Sequence, residues 1–343
     1  MNQIRLILIF LLSSSFTIGS AQDLTKEQIS LVLEKTKEHS IIGLGEAEHF
    51  YKGYYRSKFQ LVKHLVEKQA FDVIALEASM NVTSLLDDYI NGISTIDLPG
   101  LLSSLNEPYA LQEAGLYDCA EIVDMIYWLK TYNERHPNKV RLVGIDFQNY
   151  SIPLHKLKSY ASADLYDRID DAKALLDSSM TAILDSSLMI ITTPEWINRL
   201  QRAKSNVKHL KTVLGNGENS DLFVELEQFT SLWDDPTFPR DSIMYENLSR
   251  HIDGKSRIVV WAANFHLEND PQFRGPKKLG VFLKDQYPSE YFIIGVTDES
   301  NERKEKVVHP VAQDGLGRYD LIINVHKESR CERLISTKEN CIL

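Results

Sequence analysis

Four short apolar runs, each closed by charged or hydrogen-bonding side chains, constrain this chain more than any other feature. The first stretch, Ile41–His49, reads Ile-Ile-Gly-Leu-Gly-Glu-Ala-Glu-His. Its apolar half predicts a buried strand ending in a glycine turn that presents Glu46, Glu48 and His49. Asp72–Leu76 is the second run, with Glu77 at its carboxyl end. Arg141–Ile145 is the third and leads into Asp146-Phe147-Gln148; Arg257–Trp261 is the fourth and leads to Asn264 and His266. Runs that are apolar throughout, with no alternation, suit strands buried on both faces of a parallel sheet. In such sheets ligands bind outside the carboxyl ends of the strands. The polar ends, far apart in sequence, are therefore expected along one edge.

Helical patterns fill the spaces between these runs. Asp23–His39 opens with Asp-Leu-Thr, and Tyr55, Phe59, Val62, Val66 and Gln69 repeat at helical spacing within Tyr54–Gln69. Met80–Asn91 stops at Gly92, and a loop with Pro99, Gly100 and Pro108 precedes a long helix over Gln112–Arg135. This alternation predicts an α/β fold, a mostly parallel sheet flanked by helices. From Ile152 the pattern changes. Leu154 to about Asp253 holds almost no β-branched run, and its helical segments are broken at Gly215-Asn216-Gly217 and Asp234–Pro239. The expected division is a core of 22–151 and 255–343 with a helical insertion over 152–254. Within the second part of the core, Lys277–Asp285 reads as a helix and Tyr291–Val296 as a strand. Asn301–Lys306 reads as a charged hairpin or loop, and Tyr319–Val325 as a last strand.

Arg5, the apolar Leu6–Leu12 and the small residues Gly19-Ser20-Ala21 form a secretory leader pattern over 1–21, too short to span a bilayer. The expected product is exported, periplasmic or secreted, with no membrane association after leader removal. A net charge of −10 argues against nucleic acid or anionic lipid as partner. Three cysteines are too few for a disulfide scaffold. Cys331 and Cys341 are close enough in sequence to pair, while Cys119 reads as a buried thiol in a helix.

A histidine titrates near neutrality, so His49 between carboxylates can act as a general base. Glu46, Glu48, His49, Glu77 and His266 also include enough N and O donors for Zn²⁺ or Mn²⁺, so a divalent metal stays open, although no metal ligand set is assigned. The chain has no Gly-x-Ser-x-Gly elbow and no phosphate-binding loop. Ser79 reads as a helix cap, Asp234-Asp235 as a turn, and His64, His136, His209 and His251 as surface residues. Trp196, Phe229, Trp233 and Tyr245 either pack between helices or wall a pocket for an apolar substrate.

Five motifs in order resemble the erythromycin esterase family. They are Gly45-Glu46-Ala47-Glu48-His49, a following helix with Arg56 and Lys58, Ala75–Ala78, Gly144–Gln148, and Trp261–His266. The resemblance spans about residues 40 to 300 and implies a hydrolase that cleaves a small-molecule carboxylic ester or lactone without a cofactor. It implies His49 as the base that activates water, Glu46 and Glu77 as residues that orient it, and His266 as the group facing the oxyanion or leaving alkoxide. Glu48, Arg56, Lys58, Asp146, Gln148 and Asn264 are the expected substrate contacts. The chain departs from the family's pattern at three places. Glu48 replaces a small polar residue, Ala263 replaces a second histidine, and Lys58 stands where arginine is usual, which makes the expected cleft more acidic. The alternatives kept open are a metal-dependent hydrolase or peptidase at the same cleft and a binding protein without catalysis.

Overall fold

The computed structural model describes residues 23–94, 97–98, 119–184, 193–215, 219–231, 240–270, 275–298, 311–312 and 317–331. The leader pattern, the loop at 99–108, the break over 234–239, Trp233, the Asn301–Lys306 segment and Cys341 lie outside them. Seven strands are described: β1 Ile41–Glu46, β2 Val73–Ser79, β3 Arg141–Asp146, β4 Ile258–Ala263, β5 Tyr291–Thr297, β6 Val311–Ala312 and β7 Leu321–Asn324. They form one sheet in the order β3-β2-β4-β1-β5-β7-β6. Every neighbouring pair is parallel except β6 with β7. The α/β architecture with a mostly parallel sheet is the one the sequence pattern predicts.

The order explains the site. The four strands whose ends carry the candidate residues, β3, β2, β4 and β1, are consecutive in the sheet and run the same way. Their carboxyl ends therefore form one continuous row, with β2 and β4 inside it and β3 and β1 at its ends.

Both faces of the sheet are covered, which is why the strands are apolar throughout. Ile42, Leu44, Ile74, Leu76, Val259 and Trp261 face a core built with α1 (Lys26–Thr36), α2 (Lys52–Gln69), α3 (Met80–Ile90) and α4 (Ala120–Arg135). Ile41, Val73, Ala75, Ile258 and Val260 face the other core. Helices α5 (Ser151–Tyr160), α6 (Ala163–Leu184), α7 (Pro194–Leu214) and α8 (Ser220–Ser231) bury a cluster of their own around Leu176, Leu210 and Phe223. Trp196 and Phe229 lie in this cluster, so they are helix-packing core and not a pocket wall. The next helix, α9 (Arg240–Ser249), sends Met244 and Leu248 into the second sheet core, beside Leu279 and Leu283 of α11 (Leu279–Gln286). A single turn, α10 (Asn264–Leu267), follows β4 directly. Tyr245 stacks on Phe282, ring centroids 5.2 Å apart.

Two local expectations are corrected. Gly45 lies inside β1 and makes no turn; the strand runs on to Glu46. A Cβ at Gly45 would sit 2.0 Å from Oδ1 of Asn264, so the residue is glycine because α10 crosses closely there. Cys119 is no free thiol: it forms a disulfide with Cys331, so the pairing of Cys331 with Cys341 that their spacing allows is not the one made.

Candidate active site

Glu46, the last residue of β1, is fully buried and holds two partners on its two oxygens. Oε1 accepts a hydrogen bond from Nδ1 of His49 at 2.8 Å, and Oε2 pairs with the ammonium of Lys58 from α2. Lys58 has no exposure at all. Its Nζ also donates to the carbonyl of Ala262 at 3.3 Å and lies 4.2 Å from the centre of the Trp261 ring. Burial works against the ammonium and Glu46 supports it; together they bring the Lys58 pKa down to about 8.

His49 follows three residues after Glu46 in the turn before α2. The next residue, Phe50, has φ of 69°, a left-handed conformation that costs a non-glycine residue about 1–3 kcal/mol. Its backbone N–H donates to the Tyr55 hydroxyl at 3.1 Å. Nε2 of His49 faces Oε1 of Glu77 at 3.9 Å, and the side chain is 37% exposed. Burial opposes the imidazolium, but the hydrogen bond and charge of Glu46 and the charge of Glu77 outweigh it. Lys58 opposes them in turn, and the net effect is a raised pKa.

Glu77, within β2, is the hub of the second half. Oε2 accepts the backbone N–H of Ala263 at 2.8 Å. Oε1 receives Nη2 of Arg240 at 3.0 Å and lies 3.2 Å from Nε2 of His266. Burial alone would raise its pKa, yet His266, Arg240 and His49 hold it well below the usual carboxylate range. Arg240 also grips Asp146 at the end of β3, with Nε 3.2 Å from Oδ2. Asp146 is held further by Gln148, whose Nε2 donates to Oδ2 at 2.9 Å.

His266 sits in α10 between two carboxylates. Nδ1 donates to Oδ1 of Asp241 at 2.8 Å while Nε2 faces Glu77. Nη1 of Arg240 is also 3.3 Å from Nε2, a contact that suits only the neutral ring. Burial disfavours the charged ring, but Glu77 and Asp241 overcome it and push the pKa up to about 10. The two carboxylates therefore favour the imidazolium, with its Nε2–H towards Glu77, over the neutral ring that the Arg240 contact would suit. In total four carboxylates, Glu46, Glu77, Asp146 and Asp241, face two fixed cations, Lys58 and Arg240. The two histidines lie between these opposite charges.

The model of the family described as erythromycin esterase matches residues 66–302. This chain belongs to the erythromycin esterase family. Two curated relatives from Escherichia coli are similar to it. Erythromycin esterase type I is 23% identical, covering 74% of this chain and 68% of its own length. Erythromycin esterase type II is 24% identical, covering 76% and 69%. Among solved structures, a histidine-to-asparagine mutant of the erythromycin esterase EreC in its open conformation has a TM-score of 0.55 at 22% identity, covering 90% of this chain and 81% of that one. A succinoglycan biosynthesis protein has a TM-score of 0.58 at 21% identity, covering 80% of this chain and 70% of that one. At these identities the structures show a shared fold. Membership of the erythromycin esterase family supports a hydrolase.

Within this member of the family, the sequence-derived residues divide into two groups. Glu46, His49, Lys58, Glu77, Asp146, Gln148 and His266 are linked into one network. Glu48, Arg56 and Asn264 are engaged elsewhere. Glu48 pairs with Lys327 at 2.8 Å, so the expected extra cleft carboxylate is turned to a lysine. Arg56 pairs with Glu328 at 2.8 Å and Glu121 at 3.4 Å. Asn264 is buried and donates to the carbonyl of Val296 at 3.1 Å, bracing α10 against β5. Arg240 and Asp241 were not among the sequence candidates. Their signal was an Arg-Asp pair opening a helix after a polar break, which reads as ordinary first-turn chemistry.

Among the described residues, the group whose donor atoms converge as metal ligands would is Cys119, Glu121 and Cys331, not the strand-end cluster. No described helix is long and apolar enough to cross a membrane.

Proposed function

We propose that this chain is an exported hydrolase that cleaves a carboxylic ester or lactone with a water activated by His49. One observation carries the reading: Nδ1 of His49 is committed to Glu46 at 2.8 Å, which leaves Nε2 facing the cleft beside Glu77. With Nδ1–H donated to a carboxylate, the neutral ring presents its lone pair at Nε2, the arrangement a general base requires.

In this scheme a water lies against Nε2 of His49. It attacks the carbonyl carbon as its proton passes to His49, and the carbonyl electrons move onto oxygen. Glu46 and Glu77 stabilise the imidazolium that forms. Glu77 is itself a poor proton acceptor, because Arg240, the Ala263 N–H and His266 already occupy it. His266 and Arg240 make the opposite wall positive, and that charge favours the developing oxyanion. Collapse of the tetrahedral intermediate breaks the C–O bond, and the leaving alkoxide takes a proton from an imidazolium. Lys58, Asp146 and Gln148 hold the reacting groups in this scheme. A metal-dependent variant would have to reorganise Glu46 and Glu77, each of which already faces a cation. The leader pattern and the Cys119–Cys331 disulfide support export to an oxidising compartment.

The test is a panel of carboxylic esters and lactones, with a macrolide among them, given to the purified protein and to His49→Ala. The expected result is hydrolysis by the wild type that falls about 10²–10⁴-fold in the variant. Equal turnover by both proteins, or turnover by neither, would overturn the reading and leave a binding role for the fold. Activity lost to a chelator and restored by a divalent ion would instead support the metal-dependent variant.

A further inference from the structure

The segment from His326 to Cys331 crosses the turn that carries His49. Cys331 donates its backbone N–H to the carbonyl of Phe50 at 2.8 Å. Lys52 donates to Ser329 at 3.1 Å and Gly53 to Lys327 at 3.2 Å, so the crossing is antiparallel, with Tyr51 bridged to Arg330. Side chains add two ion pairs, Lys327 with Glu48 and Arg56 with Glu328, both at 2.8 Å. A Cβ on Gly53 would lie 1.8 Å from the His326 carbonyl oxygen, so glycine is what permits the approach.

This strap is fastened at its end by the Cys119–Cys331 disulfide, which joins residues 212 apart in sequence to the start of α4. Cys119 is fully buried, and Glu121 lies 3.0 Å from its sulfur. A carboxylate there repels an attacking thiolate and disfavours Cys119 as a leaving thiolate, so the bond is built to persist. The turn under the strap needs such support, because Phe50 is held in the left-handed region next to His49.

We infer that the Cys119–Cys331 disulfide, through the strap it anchors, is a positioning element that holds His49 against Glu46. This inference rests on the proposed role of His49, but the geometry it predicts can be read without any substrate. Reduction by a dithiol breaks the S–S bond, transfers two electrons and two protons to Cys119 and Cys331, and converts the reductant to its own disulfide. The strap end is then released, and with it the hydrogen bond that fixes the Phe50 carbonyl.

The experiment compares oxidised wild type, reduced and alkylated wild type, and Cys331→Ser. NMR titration of the His49 ring and hydrogen exchange at the amides of Lys52 and Gly53 are the structural readouts. With the strap released, His49 should drift from Glu46, so its titration midpoint should fall towards 6.5, and the two amides should exchange at least tenfold faster. On any ester the wild type hydrolyses, kcat/KM should drop about tenfold or more, measured well below the melting temperature. Lys327→Ala should shift the same readouts in the same direction by less. Should Cys331→Ser fail to fold, the reduced wild type carries the test. A His49 titration and amide exchange unchanged on reduction, with only Tm lowered, would overturn the inference and leave a purely stabilising disulfide. If no ester is hydrolysed by any form, the proposed function fails while the titration and exchange still decide the strap's role.

Discussion

Asp241 accepts a hydrogen bond from Nδ1 of His266 at 2.8 Å, and Glu46 accepts one from Nδ1 of His49 at the same distance. The pairs share a form but not a charge state. Nε2 of His266 has a second carboxylate, Glu77, at 3.2 Å, whereas the Glu77 oxygen is 3.9 Å from Nε2 of His49. His49 also feels the Lys58 ammonium, which works against its protonation. One site thus contains an imidazole held less firmly in its charged form and another whose pKa is pushed up to about 10. Environments that push two like groups apart in pKa are how a single cleft supplies both base and acid.

The first consequence is a bell-shaped pH profile. His49 must be neutral to accept a proton, so kcat/KM should rise with pH through its pKa, which lies above 6.5. His266 must be charged, so the rate should fall as pH passes about 10. Initial rates from pH 5 to 11 on a pH-stable ester would show both limbs. A profile flat from pH 5 to 8 would contradict the role given to His49.

Asp241→Asn isolates the second limb. The amide oxygen can still accept from His266 and from the Leu279 N–H, which Asp241 now receives at 2.9 Å, but the charge is gone. Loss of a carboxylate in contact with an imidazolium lowers its pKa by about 1–3 units. The falling limb should move down in pH by that amount, and the rising limb should stay in place. Movement of the rising limb instead would mean that the two histidines have been given the wrong roles.

How much of this was legible before the structure follows from which interactions are local. Glu46 and His49 are three residues apart, and their hydrogen bond is an i to i+3 contact that a motif can carry. Glu77, Asp146 and His266 were legible because each closes an apolar run, and parallel strands gather their ends. Arg240 and Asp241 were hidden for the opposite reason. They begin a helix that the chain enters from a helical region, and nothing in their neighbours shows that α9 returns to the sheet. The partners of Cys119 and Glu48 were illegible too, since both depend on where residues 326–331 cross the turn. Gly45 was read as a turn because glycine marks turns by default, when the cause was the close approach of Asn264, 219 residues away.

Lys58 gives a prediction for stability and pH together. Lys58→Met keeps the stem that packs on Trp261 but leaves Glu46 buried without its cation. Breaking a buried pair from one side costs about 3–5 kcal/mol. Denaturant unfolding should show that loss, and the double variant with Glu46→Gln should recover part of it. In whichever variant folds with Glu46 intact, the missing positive charge should raise the His49 pKa, so the rising limb moves to higher pH. A rising limb that stays in place would show that Lys58 does not act on His49 electrostatically.

Glu225 supplies the last prediction, at a distance from the reacting atoms. Its carboxylate, fully buried in α8, accepts the Ser79 hydroxyl and both the backbone and side-chain N–H groups of Asn81, at 2.9 and 2.7 Å. It thereby ties the helical segment to the end of β2, two residues past Glu77. Burial raises its pKa more than these hydrogen bonds lower it, to about 7. A carboxyl whose folded pKa lies above its unfolded value contributes stability that is complete below about 4.5 and is lost as pH rises through about 7. At about 1.4 kcal/mol per unit, that loss is on the order of 3 kcal/mol. Glu225→Gln removes the titration while keeping an amide of the same shape. The stability of the wild type relative to Glu225→Gln should therefore decline between pH 4.5 and 7.5 and level off above. A difference that stays constant across that range would show that the Ser79 and Asn81 donors hold the group ionised throughout, and that the join between α8 and β2 is insensitive to pH.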